Sequence, residues 1–198
     1  MEFTAVILAA GQGSRAGGYK PLWALGERVV IEWIIDAASS VCADIKVVGG
    51  AYYENLSTHL AITRPHVTLL ENTVWKNGGM FSSVCMGLEG VETPTFIHPA
   101  DIPGVSDKVY QALAFAYLNE NNNAEVFRPS YQGYSGHPIL LSHDTALAIC
   151  NASPETNLRQ VLASRRLTDI AVEDEFIHHD FDTLLEYEAL KSRLTARK

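Results

Sequence analysis

The feature that most constrains the fold is an apolar run, Phe3–Ala9, that passes directly into a loop rich in glycine. Seven consecutive residues without a charge are typical of a strand that is buried on both faces of a parallel sheet. The loop that follows, GQGSRAGGYKP, contains four glycines, Arg15 and Lys20. Because ligands of open α/β sheets bind outside the carboxyl ends of the strands, this loop is the first candidate for a binding site.

Strand-like and helix-like segments alternate along the rest of the chain. The further predicted strands are Asp44–Val48, Val67–Leu70, Pro94–His98, Glu125–Arg128, His137–Leu141, Asp169–Val172 and Phe176–His178. The predicted helices are Val29–Cys42, Tyr53–Ile62, Gly79–Leu88, Asp107–Asn119, Ser142–Cys150, Asn157–Arg165 and Thr183–Leu194. This alternation predicts one α/β domain over residues 1–198, with three αβα layers and a doubly wound, mostly parallel sheet.

Composition and charge narrow the classes of partner. The 198 residues carry a formal net charge of −8, which argues against nucleic acid or an anionic membrane as the main partner. No apolar run approaches the roughly 18 residues that a membrane span requires, and no basic leader precedes the first strand. Cys42, Cys85 and Cys150 are scattered, so we expect reduced thiols in a cytoplasmic protein and no zinc site.

The glycine-rich loop fits neither of two well-known phosphate loops. Residues 11–16 match G-x-G-x-x-A, but Pro21 and the preceding glycine pair break the helix that a dinucleotide site requires, and the second strand ends in glycines rather than an acid. A Walker loop needs Gly-Lys-Ser or Gly-Lys-Thr, whereas Tyr19 precedes Lys20 here. A flexible surface turn is the remaining alternative. It explains neither the two cations nor the buried strand, so we favour an anion site in which Arg15 and Lys20 contact phosphate.

Asp101 follows the fourth predicted strand and lies between Pro99 and Pro103. A carboxylate at this position suits Mg²⁺, which takes one or two carboxylates together with phosphate oxygens and water. Capping of the next helix is the structural alternative, and the two roles are compatible. Asp180 and Asp182 are two positions apart, so in an extended segment both side chains point to the same side. Either could supply a second metal ligand.

Two further stretches allow both functional and structural interpretations. Ser82 and Ser83, near a predicted helix start after two glycines, could bind an anion or simply cap the helix. His137 could contact a substrate, although a histidine in this context more often packs. The adjacent pair His178 and His179 points to opposite strand faces, which disfavours a shared zinc ion.

Five segments in the same order resemble the MobA-like nucleotidyltransferase family, and within it the molybdenum cofactor cytidylyltransferase branch. They are LAAGQGSRAGGYKPL, NTVWKNGGMFSSVCMGL, HPADIPGVS, YSGHPILLS and HDFDTLLEYEAL. The resemblance runs nearly from end to end and implies a Rossmann-like fold of the nucleotide-diphospho-sugar transferase type. The sequence departs from the family pattern at Ala16, at Leu184–Glu186 and at Pro154–Arg159. These differences affect the expected identity of the acceptor more than the expected reaction.

The resemblance implies specific roles. The nucleotide would be bound by Leu8, Ala9, Ala10, Gly11, Gly13, Ser14, Arg15, Lys20, Ser82, Ser83 and Gly87. Arg15, Lys20 and Asp101 would be catalytic, Asp101 with Asp180 or Asp182 would hold Mg²⁺, and His137 would face the acceptor. The methyl group of Ala10 narrows the space near the base and favours CTP.

The reaction that the resemblance implies joins a nucleoside monophosphate to a phosphorylated acceptor, with molybdopterin expected, and releases pyrophosphate. The family also implies contact with a molybdoenzyme or its chaperone. Two alternatives remain open: a transferase that uses GTP or another nucleotide with a phosphorylated sugar or alcohol, and a non-catalytic dinucleotide-binding module.

Overall fold

A computed structural model describes residues 2–13, 18–119 and 123–196. Ten strands occur in chain order: β1 Phe3–Ala9, β2 Ala24–Leu25, β3 Arg28–Val29, β4 Cys42–Gly49, β5 Thr68–Glu71, β6 Thr95–Pro99, β7 Val126–Tyr131, β8 Tyr134–Ser135, β9 Ile139–Leu141 and β10 Leu167–Ala171. The helices are α1 Val30–Ala38, α2 Tyr53–Thr63, α3 Trp75–Leu88, α4 Asp107–Leu118, α5 His143–Cys150, α6 Leu158–Leu162 and α7 Leu184–Ala196, with 3₁₀ helices at Lys20–Leu22 and Glu175–His178.

The main sheet has the strand order β10-β7-β9-β6-β1-β4-β5, and β8 pairs with the free part of β7. β1 runs parallel to β4 and to β6, β4 runs parallel to β5, and β7 runs parallel to β10. β9 is inserted antiparallel between β6 and β7. The predicted mostly parallel α/β sheet is therefore confirmed, with one reversed strand in its centre.

Side chains of β1 alternate between two cores, which explains why the whole strand is apolar. Ile7 packs with α1, α2 and α4 on one face of the sheet, whereas Val6 and Leu8 pack with α3 and α5 on the other. Ile7 is fully buried, and burial of such a side chain stabilises the fold by about 2 kcal/mol. The predicted three-layer αβα arrangement follows from this double burial and is confirmed.

A third apolar cluster lies beside the sheet rather than on it. Tyr187 and Leu190 of α7 pack against Leu25, Phe176 and Phe181. This cluster joins the C-terminal helix to the small β2–β3 hairpin, which the sequence did not predict because each of its strands has only two residues. It brings the last part of the chain next to the N-terminal loop.

The predicted strand Phe176–His178 is wrong, because these residues form a 3₁₀ helix. The side chain of Asp174 accepts a hydrogen bond from Phe176 N at 3.1 Å, which caps the turn. Phe176 and Ile177 are both buried, so the segment lacks the alternation of a half-buried strand. Three residues were too few to distinguish the two conformations.

Helix boundaries differ from the prediction where side chains compete with the backbone. α1 begins after the hairpin, where Glu32 accepts a hydrogen bond from Val29 N, and ends where the Ser39 hydroxyl donates to Ile35 O. α3 begins at Trp75 rather than at Gly79. Across the described residues, no helix combines the length and apolar character that a membrane crossing requires.

Candidate functional site

A cavity of about 400 Å³ lies at the carboxyl ends of the central strands. Residues that the sequence placed in a nucleotide or metal site line much of it: Leu8, Ala9, Ala10, Gly11, Gly13, Lys20, Ser83, Asp101 and Asp182. The rest of its wall comes from Pro21, Trp75, Gly79, Met80, Pro99 and Ala100.

Strand register explains why these residues meet. Ala9 of β1 lies opposite Gly49 of β4, and Leu8 lies opposite Pro99 of β6, so the three strands end at one level. Ala100 N donates to Leu8 O at 3.0 Å, which holds the turn before Asp101 against β1. The glycine-rich loop after β1 and the loop of residues 100–103, which carries Asp101 and is called the aspartate loop below, therefore leave the sheet side by side.

Lys20 is buried and already has protein partners. Its Nζ donates to Asp182 Oδ1 at 2.7 Å and to the carbonyl of Phe181, and it lies 5.2 Å from the centre of the Phe181 ring. An ammonium group has three N–H donors, so these contacts leave one for a ligand. Lys20 thus links the N-terminal loop to the segment before α7 and neutralises Asp182.

Asp101 is influenced by burial and by neighbouring charges of both signs. Burial raises the pKa of Asp101, and the charges of Asp180 and Asp182 raise the pKa further. Lys20 and the backbone N–H of Asp101 itself oppose this rise. Excess negative charge beside a cavity is the condition that a divalent cation relieves.

Among the described residues, no group of three or more His, Cys, Asp or Glu side chains surrounds a common point. Asp101 and Asp182 nevertheless both line the cavity. Two carboxylates suit Mg²⁺, since this ion fills its other positions with water and substrate phosphate rather than with a complete protein cage. The residues present therefore fit a metal that binds together with a polyphosphate.

The opposite wall of the cavity is formed by the start of α3. Gly79 has φ 58° and ψ −160°, a backbone conformation that is almost confined to glycine, and the helix is kinked there. Met80 and Ser83, which follow the kink, line the cavity. The predicted helix start at Gly79 therefore marks the beginning of the regular part of α3.

The comparisons with known proteins agree with this geometry. Residues 5–170 match the family described as the MobA-like NTP transferase domain. The chain belongs to this family. Its members are nucleotidyltransferases, so the predicted class of enzyme is confirmed. The sequence is 26% identical over 191 residues to the molybdenum cofactor cytidylyltransferase of Escherichia coli (strain K12), covering 96% of each chain.

Solved structures extend the agreement to the whole fold of this MobA-like transferase. A nucleotidyl transferase from Methanothermobacter thermautotroptrophicus matches with a TM-score of 0.82 and 18% identity, covering 100% of this chain and 99% of that one. Rv0371c from Mycobacterium tuberculosis H37Rv, in a complex with manganese, matches with a TM-score of 0.77 and 17% identity, covering 97% and 99%.

Several residues with predicted roles lie away from the cavity of the MobA-like transferase or outside the described residues. Ser14 and Arg15 fall in the part of the chain that the structure does not describe. Ser82 does not line the cavity, and its hydroxyl donates to Gly79 O at 2.9 Å. Gly87 does not line it either. A Cβ at Gly87 would lie 2.2 Å from Val6 Cγ1, so close packing of α3 on the sheet accounts for this glycine.

His137 and Asp180 do not line the cavity. His137 is partly buried, and its backbone N–H donates to Ile177 O at 3.0 Å. Burial lowers the pKa of His137, while the charge of Asp180 raises it. Asp180 is nevertheless near enough to shift the pKa of Asp101.

Sequence reasoning missed His98, whose side chain holds the aspartate loop in place. The carbonyl of Ile102 can only accept, so His98 Nε2 carries the proton and donates to it at 2.9 Å, while Nδ1 accepts from the Tyr110 hydroxyl. Burial lowers the pKa of His98 to about 3, against a weaker opposing effect of the Ile102 carbonyl. A neutral histidine thus holds the loop that carries Asp101.

Sequence reasoning also missed Asn72 and two apolar residues of the cavity, Trp75 and Met80. Asn72 lies directly after β5, and its side chain donates to the hydroxyls of both Ser82 and Ser83. The signal was present, because a polar residue that follows the carboxyl end of a parallel strand lies on the ligand side of the sheet. The motif NTVWKNGGMFSS contains all three residues, but a motif alone does not say which side chain turns inward.

Proposed function

We propose that this nucleotidyltransferase is a Mg²⁺-dependent cytidylyltransferase that transfers CMP from CTP to a phosphorylated acceptor, with molybdopterin as the acceptor. The observation that carries this proposal is the convergence of Lys20, Asp101 and Asp182 on the turn after β1, within one cavity. That arrangement places a cation and two carboxylates beside a loop with exposed backbone groups. Such a set of groups can bind a metal-bound polyphosphate.

The nucleoside would lie against the end of β1. Leu8, Ala9, Ala10 and Gly11 line this part of the cavity. The Ala10 methyl group reduces the space near the base, which favours a pyrimidine over a purine. The name of the Escherichia coli relative, a cytidylyltransferase, supports CTP.

Asp101 and Asp182 would hold the metal ion, and the nearby Asp180 would contribute negative charge. When bound, Mg²⁺ supplies positive charge that offsets repulsion between the two phosphates and stabilises the leaving pyrophosphate. The manganese complex of the Mycobacterium tuberculosis structural relative supports a divalent ion in a protein of this fold.

In the reaction, an oxygen of the acceptor phosphate forms a bond to the α-phosphorus of CTP. The bond from that phosphorus to the bridging oxygen breaks, and pyrophosphate leaves with the electron pair. The attacking phosphate is already ionised at neutral pH, so no strong general base is required. Lys20 would use its remaining N–H on the triphosphate, and Arg15, Ser14 and Gly13 would complete the phosphate contacts. His137 would act on the acceptor side.

The test is release of pyrophosphate, measured with each of the four nucleoside triphosphates, Mg²⁺ and a panel of acceptors that includes molybdopterin, a sugar phosphate and a phosphorylated alcohol. We expect turnover with CTP and molybdopterin that stops when the metal is chelated. Turnover with GTP or with a sugar phosphate alone would replace the proposal by the corresponding transferase. Stabilisation by NAD(P) without any turnover would favour the binding module.

A further inference from the structure

Two cysteines that are remote in the sequence lie side by side in the structure. Cys85 belongs to α3 and is half-buried, whereas Cys150 is the last residue of α5 and is exposed. Cys85 Sγ donates to Ile149 O at 3.8 Å, and Cys150 Sγ donates to Cys85 O at 4.0 Å. Because the carbonyl carbon of Ile149 is bonded to the nitrogen of Cys150, each sulfur lies against the backbone of the other cysteine.

The apolar core holds the two cysteines at this separation. Val84 precedes Cys85 and Ile149 precedes Cys150, and both of these apolar side chains are fully buried in one cluster. Protein interiors are close-packed, so α3 and α5 cannot move apart here without opening that cluster. A disulfide requires two Cα atoms at short range, and backbone contact in both directions meets this requirement.

We propose that Cys85 and Cys150 form a reversible disulfide that ties α3 to α5, with a low-molecular-weight disulfide as the oxidant. The inference does not depend on the proposed function. Cys42, the third cysteine, is buried in the core on the opposite face of the sheet and has no part in the bridge. Bond formation then requires the two neighbouring side chains to rotate towards each other.

The bridge forms in two exchange steps. The thiolate of the exposed Cys150 attacks one sulfur of the small disulfide, whose other half leaves as a thiolate and takes up a proton. The thiolate of Cys85 then attacks the sulfur of Cys150 in this mixed disulfide, and the second small thiol leaves. The two protein thiols together lose two electrons and two protons, and the oxidant is reduced to two thiols.

The surroundings of the two sulfurs make these steps slow at neutral pH. Burial raises the pKa of the Cys85 thiol, and so does the nearby Cys150. Burial and the charge of Glu89 raise the pKa of Cys150, while the charge of Lys46 lowers it. Since only a thiolate attacks, the pair differs from a fast redox sensor and reacts during sustained oxidation or in mild alkali.

Oxidised glutathione, added to the full chain at about pH 8.5, tests the inference. We expect the mass of the denatured protein to fall by about 2 Da and peptide mapping to link Cys85 to Cys150, with Cys42 as the remaining free thiol. Dithiothreitol should restore the original mass. Stable glutathione adducts without a bridge, a bridge that contains Cys42, or disulfide-linked dimers would overturn the inference.

Two variants identify the partners independently of mapping. Cys150→Ser changes an exposed residue, so the fold should persist, and we expect no bridge within the chain. Cys42→Ala is the matched control, because it removes a thiol but leaves the pair intact, and it should form the bridge at the wild-type rate. A mass loss in Cys150→Ser equal to that of the wild type would contradict the assignment of this pair.

Thermal melting shows whether the bridge fits the folded protein. It joins residues that are 65 positions apart and therefore restricts the unfolded chain. We expect the oxidised protein to melt about 5 °C or more above the reduced protein, and Cys150→Ser to show no such difference under the same treatment. An oxidised wild type that melts at or below the reduced one would show that the bridge distorts the helices, and would overturn the inference that the fold is arranged for it.

Discussion

Two walls of the same cavity are built in different ways. We call Lys20, Asp101 and Asp182 the ionic wall, and Met80 and Ser83 the neutral wall, where Asn72 supports Ser83 by a hydrogen bond. The ionic wall joins residues as far as 162 positions apart, whereas the hydrogen bond between Asn72 and Ser83 spans 11 positions. The ionic wall thus depends on docking of the C-terminal segment, and the neutral wall on one strand, one turn and one helix.

The difference indicates a division of labour. In the proposed reaction, charges at the ionic wall would act on phosphate and metal, where the largest changes of charge occur during transfer. Neutral and apolar side chains at the other wall would act on the base, where no charge develops. Substitutions in the ionic wall should therefore change the rate, and substitutions in the neutral wall should change affinity and selectivity.

Asp101→Asn should produce the largest effect. It removes the proposed metal ligand without changing shape, and loss of one such electrostatic contact lowers kcat by about 10² to 10³. Burial raises the pKa of Asp101, so the neutral amide should not reduce thermal stability. Pyrophosphate release and a thermal melt check both points. A near-wild-type rate at saturating Mg²⁺ would remove Asp101 from the ionic wall.

His98 should make stability sensitive to acid beneath the ionic wall. Burial lowers the pKa of His98 from 6.5 to about 3. Below pH 6.5 the side chain therefore becomes protonated in the unfolded chain but stays neutral in the folded protein. Stability is therefore lost as the pH falls from 6.5 towards 3. Between about pH 6.5 and about pH 4.5 the loss from this group should approach about 2–3 kcal/mol.

Urea unfolding of the wild type and of His98→Gln at the two pH values measures this loss. Gln keeps a donor for Ile102 O but does not titrate, so its stability should fall less with acid. Parallel pH dependence of the two proteins would contradict the neutral state of His98.

The contact between Lys20 and Asp182 should show energetic coupling, although Asp182 is partly exposed. Removing Lys20 leaves the Phe181 carbonyl and the Asp182 carboxylate with fewer partners. In a cycle of Lys20→Met, Asp182→Asn and the double variant, we expect a coupling of about 1–2 kcal/mol in the free energy of unfolding. Additive effects would show that the tether between the two ends of the chain contributes nothing to stability.

Met80→Ala should produce the smallest effect and acts on the neutral wall. Met80 is 61% exposed and lines the cavity, so its loss should hardly change stability but should weaken nucleotide binding by about threefold through lost apolar contact. Phe115→Ala is a matched control, because Phe115 is 70% exposed on α4 and does not line the cavity. Equal nucleotide affinity in both variants would place Met80 outside the base site.

The fold was largely predictable because its signals are local and repeated. A strand buried on both faces must be apolar throughout, and β1 shows this in seven residues. The alternation of strands and helices then implies parallel pairing. Boundaries were less predictable wherever a few residues decide the conformation, as in the β2–β3 hairpin and in the 3₁₀ helix that replaces the strand predicted at Phe176–His178.

By itself, the sequence determined the architecture and the chemistry at the strand ends, since apolar periodicity, glycine-rich turns and an aspartate between prolines are properties of neighbouring residues. Only the tertiary structure decided that Lys20 pairs with Asp182, that His98 holds the loop of Asp101, and that Ser83 rather than Ser82 lines the cavity. Those choices depend on distances between segments that are remote in the chain and on which hydrogen-bond partners are already taken. Neither quantity is encoded in any short stretch of residues.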